Sequence, residues 1–113
     1  EVFAIAPFAS TGAGRVNDGD YCQIWSLNPQ SNLNVRLPKS RELLGTVAES
    51  YMTMPFAARW IKNQSMLFLS LRDLEKQGAL ESYPVLKEAK KDAFVSQAET
   101  TLIVEENGAK ILV

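Results

Sequence analysis

The hydrophobic period changes twice along this chain, and that alternation restricts the fold more than any other feature. Residues Val2 to Phe8 are apolar, unbroken up to Pro7, without a helical period, and lead directly into Ser10-Thr11-Gly12-Ala13-Gly14. This reads as a buried strand ending in a glycine-punctuated loop. Asn17-Asp18-Gly19-Asp20 is a turn cluster, and Tyr21 to Leu27 beyond it has the aromatic and apolar content of a strand, so a hairpin is expected. Asn28 to Asn32 is a polar linker. From Pro38 onward the pattern becomes helical. Leu43, Leu44, Val47, Ala48 and Tyr51 form one stripe over Lys39 to Thr53, Phe56 to Ile61 predicts a short second helix, and Leu67, Leu71 and Leu74 share a face of a third over Ser65 to Gln77. Gly78 stands where a left-handed cap is wanted.

The strand pattern then returns. Tyr83-Pro84-Val85-Leu86 is extended, since the residue before a proline is pushed out of the helical region. A polar run from Lys87 to Asp92 turns the chain, Phe94 to Val104 reads as one long strand, and Asn107-Gly108 between Leu102-Ile103-Val104 and Ile111-Leu112-Val113 signals a closing hairpin. The expected class is α+β. A sheet body of residues 1–29 and 93–113 is interrupted by a three-helix, winged-helix-like insert of residues 30–92. Charge follows the same division: Arg36 to Asp92 carries ten Lys or Arg against seven Asp or Glu, and the flanks carry two against six.

Several functional classes are excluded at this level. With 113 residues and a net charge of -1, the chain lacks the field of a protein that coats nucleic acid. Its one cysteine, Cys22, allows neither an internal disulfide nor a thiolate zinc site, which makes a reducing cytoplasmic setting the expectation. No apolar run approaches the roughly 20 residues that span a bilayer, so no membrane partner is expected. The absence of histidine removes Ser-His and Cys-His catalysis and the H-E-x-x-H metal helix. Any chemistry would rest on carboxylates, lysine, tyrosine or Cys22.

Few residues remain as candidates. Gly12-x-Gly14 follows a strand, but the third glycine of a dinucleotide fingerprint is misplaced, and a loop needing glycine dihedrals is the better reading. Lys87, Lys90 and Lys91 form a small basic cluster at the expected wing, read first as a solvated hairpin tip and second as a contact for nucleic acid or ribosomal RNA. The third helix offers only Arg72 and Lys76 among acids, which disfavours DNA. Glu99 is a carboxylate in an otherwise apolar and small-polar strand, either on a wet face or acting as a ligand.

Five ordered motifs carry a family resemblance. Glu1-Val2-Phe3-Ala4-Ile5-Ala6-Pro7-Phe8-Ala9-Ser10-Thr11-Gly12-Ala13-Gly14 resembles the E-V-[FY]-A-I-E-P-F-A-[ST]-x-G-x-G segment of type II methionine aminopeptidases. Val35-Arg36-Leu37-Pro38, Pro55-Phe56-Ala57-x-Arg59-Trp60, Tyr83-Pro84-Val85-Leu86 and Ser96-Gln97-Ala98-Glu99-x-Thr101 resemble that family's later landmarks, in order. The resemblance covers essentially the whole chain. It implies the C-terminal half of a pita-bread metallopeptidase fold, carrying the helical insert of type II enzymes.

The resemblance also implies a dinuclear centre of two divalent ions (cobalt, manganese, iron or zinc), held by two aspartates and a histidine from the N-terminal half and two glutamates from this half. The first of those glutamates falls at Ala6, the second at Glu99, and the histidine after it at Thr100. Tyr83 matches a tyrosine lining the methionine pocket. A lone Glu99 cannot hold two hard ions, so this chain is expected to bind no metal pair and to be inactive by itself. Three origins fit: part of a longer or split enzyme, a deliberately inactivated version, or a non-catalytic relative that binds the ribosome, RNA or proteins. Unpaired sheet edges are expected to recruit a missing N-terminal half or a second copy.

Overall fold

The structure is a computed structural model that describes residues 1–31 and 34–113. Asn32, the last residue of the expected linker, lies outside the described residues. The chain forms two compact units, one of Glu1–Asn17 with Leu86–Val113 and one of Asp18–Val85. The sequence pattern puts its boundaries at residues 29/30 and 92/93.

The unit Asp18–Val85 contains every buried hydrophobic side chain among the described residues. Helix α1, Pro38–Ser50, begins where Pro38 supplies a preset helical φ and holds Leu37 extended at φ -72° and ψ 126°. It buries Leu43, Leu44 and Val47 from the predicted stripe. Helix α2, Leu67–Lys76, buries Leu71 and Leu74. Past its end Gly78 adopts φ +73°, and the Ala79 N–H returns to the Leu74 carbonyl at 2.9 Å, closing the helix as a left-handed cap does. The two helices are also tied by the buried Ser40 hydroxyl, which donates to Asp73 Oδ2 at 2.5 Å.

The expected second helix is not an α-helix. Phe56–Ala57 is a short strand, which pairs antiparallel with Ile24 and Trp25, and Ala58–Trp60 is a single 3-10 turn. The insert therefore holds two α-helices rather than three. Apolar residues two or three apart fit a strand as well as a helical turn over so short a run, and pairing with a neighbouring strand decides between them. Numbered in chain order, Val2–Ile5 is β1, Phe8–Ser10 β2, Val16–Leu27 β3, Phe56–Ala57 β4, Leu80–Glu88 β5, Val95–Gln97 β6, Thr100–Glu105 β7 and Gly108–Ile111 β8. The sheet order β4-β3-β5 leaves β5 at an edge, the kind of strand that tolerates a proline such as Pro84. The turn expected at Asn17–Asp20 is absent, and these residues continue through the twelve-residue β3. No helix among the described residues is long and apolar enough to cross a membrane.

The unit of Glu1–Asn17 and Leu86–Val113 is built from paired strands. β1 does not form a hairpin with β3. It pairs antiparallel with β7, and β7 pairs with β8 across the turn Glu106-Asn107, as the Asn-Gly signal suggests. β2 pairs antiparallel with β6. The long strand expected from Phe94 to Val104 is thus divided in two at Ala98 and Glu99. Ala98 donates its N–H to the Pro7 carbonyl at 3.1 Å, and proline has no N–H to return, so the ladder loses half of that pair.

Candidate functional site

The division of the ladder does not shift its register. Ile5 is opposite Thr100 on one side of the gap and Phe8 opposite Gln97 on the other, which places Ala6 opposite Glu99 and Pro7 opposite Ala98. The same register reaches outward to the Val104 N–H donated to Glu1 O at 2.9 Å and the Thr11 N–H donated to Phe94 O at 3.0 Å. Alternation along both strands then assigns Ala6, Phe8 and Ser10 to one face, together with Val95, Gln97 and Glu99. Ala6 and Glu99 are both exposed.

Phe8, Ser10 and Val95 line a cavity of about 510 Å³, completed by Gly12, Ala13, Gly14, Val16, Leu86 and Glu88. Glu88 ends β5 and joins the glycine loop to it: the Ser10 hydroxyl, the Ala13 and Gly14 N–H groups and the Lys90 N–H all donate to its carboxylate. These donors favour the charged form, the Ser10 hydroxyl most of all, and hold the Glu88 carboxyl at about 2 against a partial desolvation that raises it. Gly14 occupies φ +68°, and a Cβ at Gly12 would fall 2.6 Å from Glu88 Cδ, so the loop needs glycine at both positions.

Sequence reasoning singled out the glycine loop but missed Glu88, which it left in a polar turn. The available signal was a carboxylate at the end of a strand together with a loop whose glycines free backbone N–H groups. Tyr83, the proposed pocket residue, lies in the other unit, where its hydroxyl is 3.1 Å from Ser26 Oγ. Lys87, Lys90 and Lys91 are exposed along the end of β5 and the turn after it.

The donor set does not fit a dinuclear metal centre. Opposite Glu99 stands the Ala6 methyl group, and no three His, Cys, Asp or Glu side chains converge among the described residues. Two hard divalent ions need several anionic oxygens.

No protein-family model matches the chain. Over 97% of its length it is 46% identical to a methionine aminopeptidase of Archaeoglobus fulgidus, of which it spans 36%. It is 41% identical to that of Thermococcus kodakarensis, covering 38% of that protein, and 36% identical to that of Methanocaldococcus jannaschii, covering 37%. The chain therefore spans little more than a third of these relatives. The solved structure of a thermophilic Arx1 matches 97% of the chain and 29% of its own with a TM-score of 0.84 at 21% identity, a likeness of fold alone. With identity sustained from end to end, the chain is similar to methionine aminopeptidases over nearly its whole length and matches their C-terminal part.

Proposed function

We propose that this chain supplies the C-terminal, pita-bread portion of a methionine aminopeptidase-like protein and carries out no peptidase chemistry by itself. The observation that carries this reading is the Ala6–Glu99 pair: where the resemblance calls for two facing carboxylates, one is a methyl group. In the complete family the hydrolytic chemistry would come from the metal pair, and Glu99 is the single matching ligand in this chain. Glu99 is read as a vestigial ligand, and Tyr83 as a remnant of the methionine pocket. The test is hydrolysis of a Met-Ala-Ser peptide by the purified chain with cobalt, manganese, zinc or iron. No turnover above the metal-only blank is expected. Turnover that disappears in Glu99→Ala overturns the proposal.

A second reading, a binding module acting in the cytoplasm, draws support from the surface of the Glu1–Asn17 and Leu86–Val113 unit. Phe8, Phe94 and Ile111 are 64%, 81% and 69% exposed there, more apolar surface than a finished sheet leaves to water. Such strands favour a protein partner, an N-terminal portion of the same kind of protein or a second copy, over RNA or the ribosome, for which Lys87, Lys90 and Lys91 are the candidate cations. Light scattering distinguishes self-association from a monomer, and co-expression with a family N-terminal portion tests the other partner.

A further inference from the structure

The cavity beside the glycine loop has five apolar lining side chains, the small Ala13 and the larger Phe8, Val16, Leu86 and Val95, and one carboxylate, Glu88. A carboxylate in a pocket wall invites the reading of a ligand for a cation or an amine. Its capacity argues otherwise. A carboxylate has about four acceptor sites, and the chain itself brings four donors. Oε1 accepts from the Ala13 N–H at 3.1 Å and the Lys90 N–H at 3.2 Å, and Oε2 accepts from the Gly14 N–H at 3.2 Å and from the Ser10 hydroxyl. The Ser10 oxygen in turn accepts the Gly12 N–H at 2.9 Å. All three N–H groups of the Gly12–Gly14 loop thus end on Glu88, directly or through Ser10. The missing Cβ of Gly12 leaves room for this approach, since an added one would lie 2.6 Å from Glu88 Cδ and 2.9 Å from Ala93 Cβ.

We infer that Glu88 is the positioning residue of this cavity, a carboxylate saturated by the chain itself that fixes the Gly12–Gly14 loop and the Ser10 hydroxyl as one wall. Three consequences follow from the saturation. Glu88 takes no ligand, the polar end of the cavity is already satisfied, and the space left for a guest is the apolar part between Phe8, Val16, Leu86 and Val95. Glu88 has this part whether or not Glu99 ever holds a metal. The depressed carboxyl of Glu88 accords with the geometry, because each donor stabilises the ionised form.

Nuclear magnetic resonance of the full chain tests this. Between neutral and strongly acid pH the amide protons of Ala13, Gly14 and Lys90 should shift together, with one midpoint well below the ordinary carboxylate value of 4.5. In Glu88→Gln those amides should exchange about tenfold faster, the loss of roughly one charge-assisted hydrogen bond. The Val104 amide of the β1–β7 ladder, bonded to Glu1 O, should stay within about twofold. Glu88→Asp, which keeps the charge, should restore part of the protection. Three independently titrating amides overturn the inference, even if the glutamine variant fails to fold. So does a glutamine variant with unchanged loop exchange, or with Val104 accelerated as much as the loop.

Discussion

Ala6 and Glu99 stand directly opposite one another in a non-hydrogen-bonded pair of an antiparallel ladder, next to a Pro7–Ala98 pair that keeps one of its two bonds. Pairs of this kind bring side chains closest, with Cα atoms about 4.5 Å apart, so a residue at position 6 meets Glu99 whatever its chemistry.

Restoring the carboxylate with Ala6→Glu should therefore set two like charges face to face. The expected cost in the presence of a chelator is roughly 0.2–1 kcal/mol, the range of cross-strand pairs. Added manganese or cobalt should recover part of that loss in the variant and leave the parent chain unchanged. Thermal melts with and without metal measure both, and a variant indifferent to metal would separate position 6 from any metal role.

Glu99→Gln should change stability by no more than about 0.5 kcal/mol, as expected for an exposed side chain away from a cap or core. A large fall in melting temperature would make Glu99 a structural hydrogen-bond hub and remove the vestigial-ligand reading.

Glu88 sets a pH dependence whose sign follows from its depressed carboxyl. Because folding lowers its value from 4.5 to about 2, its stabilising contribution is present in full above 4.5, shrinks as the pH falls, and is gone below about 2. The difference in melting temperature between the parent chain and Glu88→Gln should accordingly be flat above pH 4.5 and close toward zero on acidification to about 2. A difference that widens in acid would contradict the arrangement of donors around this carboxylate.

Truncation should separate the two units energetically. Phe56 is fully buried and stacks on Tyr51 with ring centroids 5.3 Å apart, so Phe56→Ala should cost about 3–5 kcal/mol. Phe94, among the most exposed side chains, should tolerate Phe94→Ala within about 0.5 kcal/mol and with it a gain in solubility. Denaturant midpoints for the two variants provide the comparison.

Local signals account for the elements that formed as expected. The stripe of Leu43, Leu44 and Val47, the Pro38 entry, the Gly78 cap and the Asn107-Gly108 signal at the β7–β8 hairpin each act within one helical turn or one hairpin, so the residues themselves carry the instruction. The motif order that resembles the methionine aminopeptidases is likewise a property of the chain alone. What depended on distant partners was not legible. The segment from Phe56 became a strand because Ile24 and Trp25 offered a ladder, Asn17 to Asp20 stayed extended within β3 despite turn-forming residues, and β1 joined a strand nearly a hundred residues away instead of its neighbour. Glu88 belongs with these. Its neighbours in sequence are a polar turn, while its hydrogen-bond donors include Ser10, Ala13 and Gly14, brought to it only when the strands pair. Short-range preferences here amount to at most about 1 kcal/mol per residue, and a shared ladder or a saturated carboxylate outweighs them once the chain has closed.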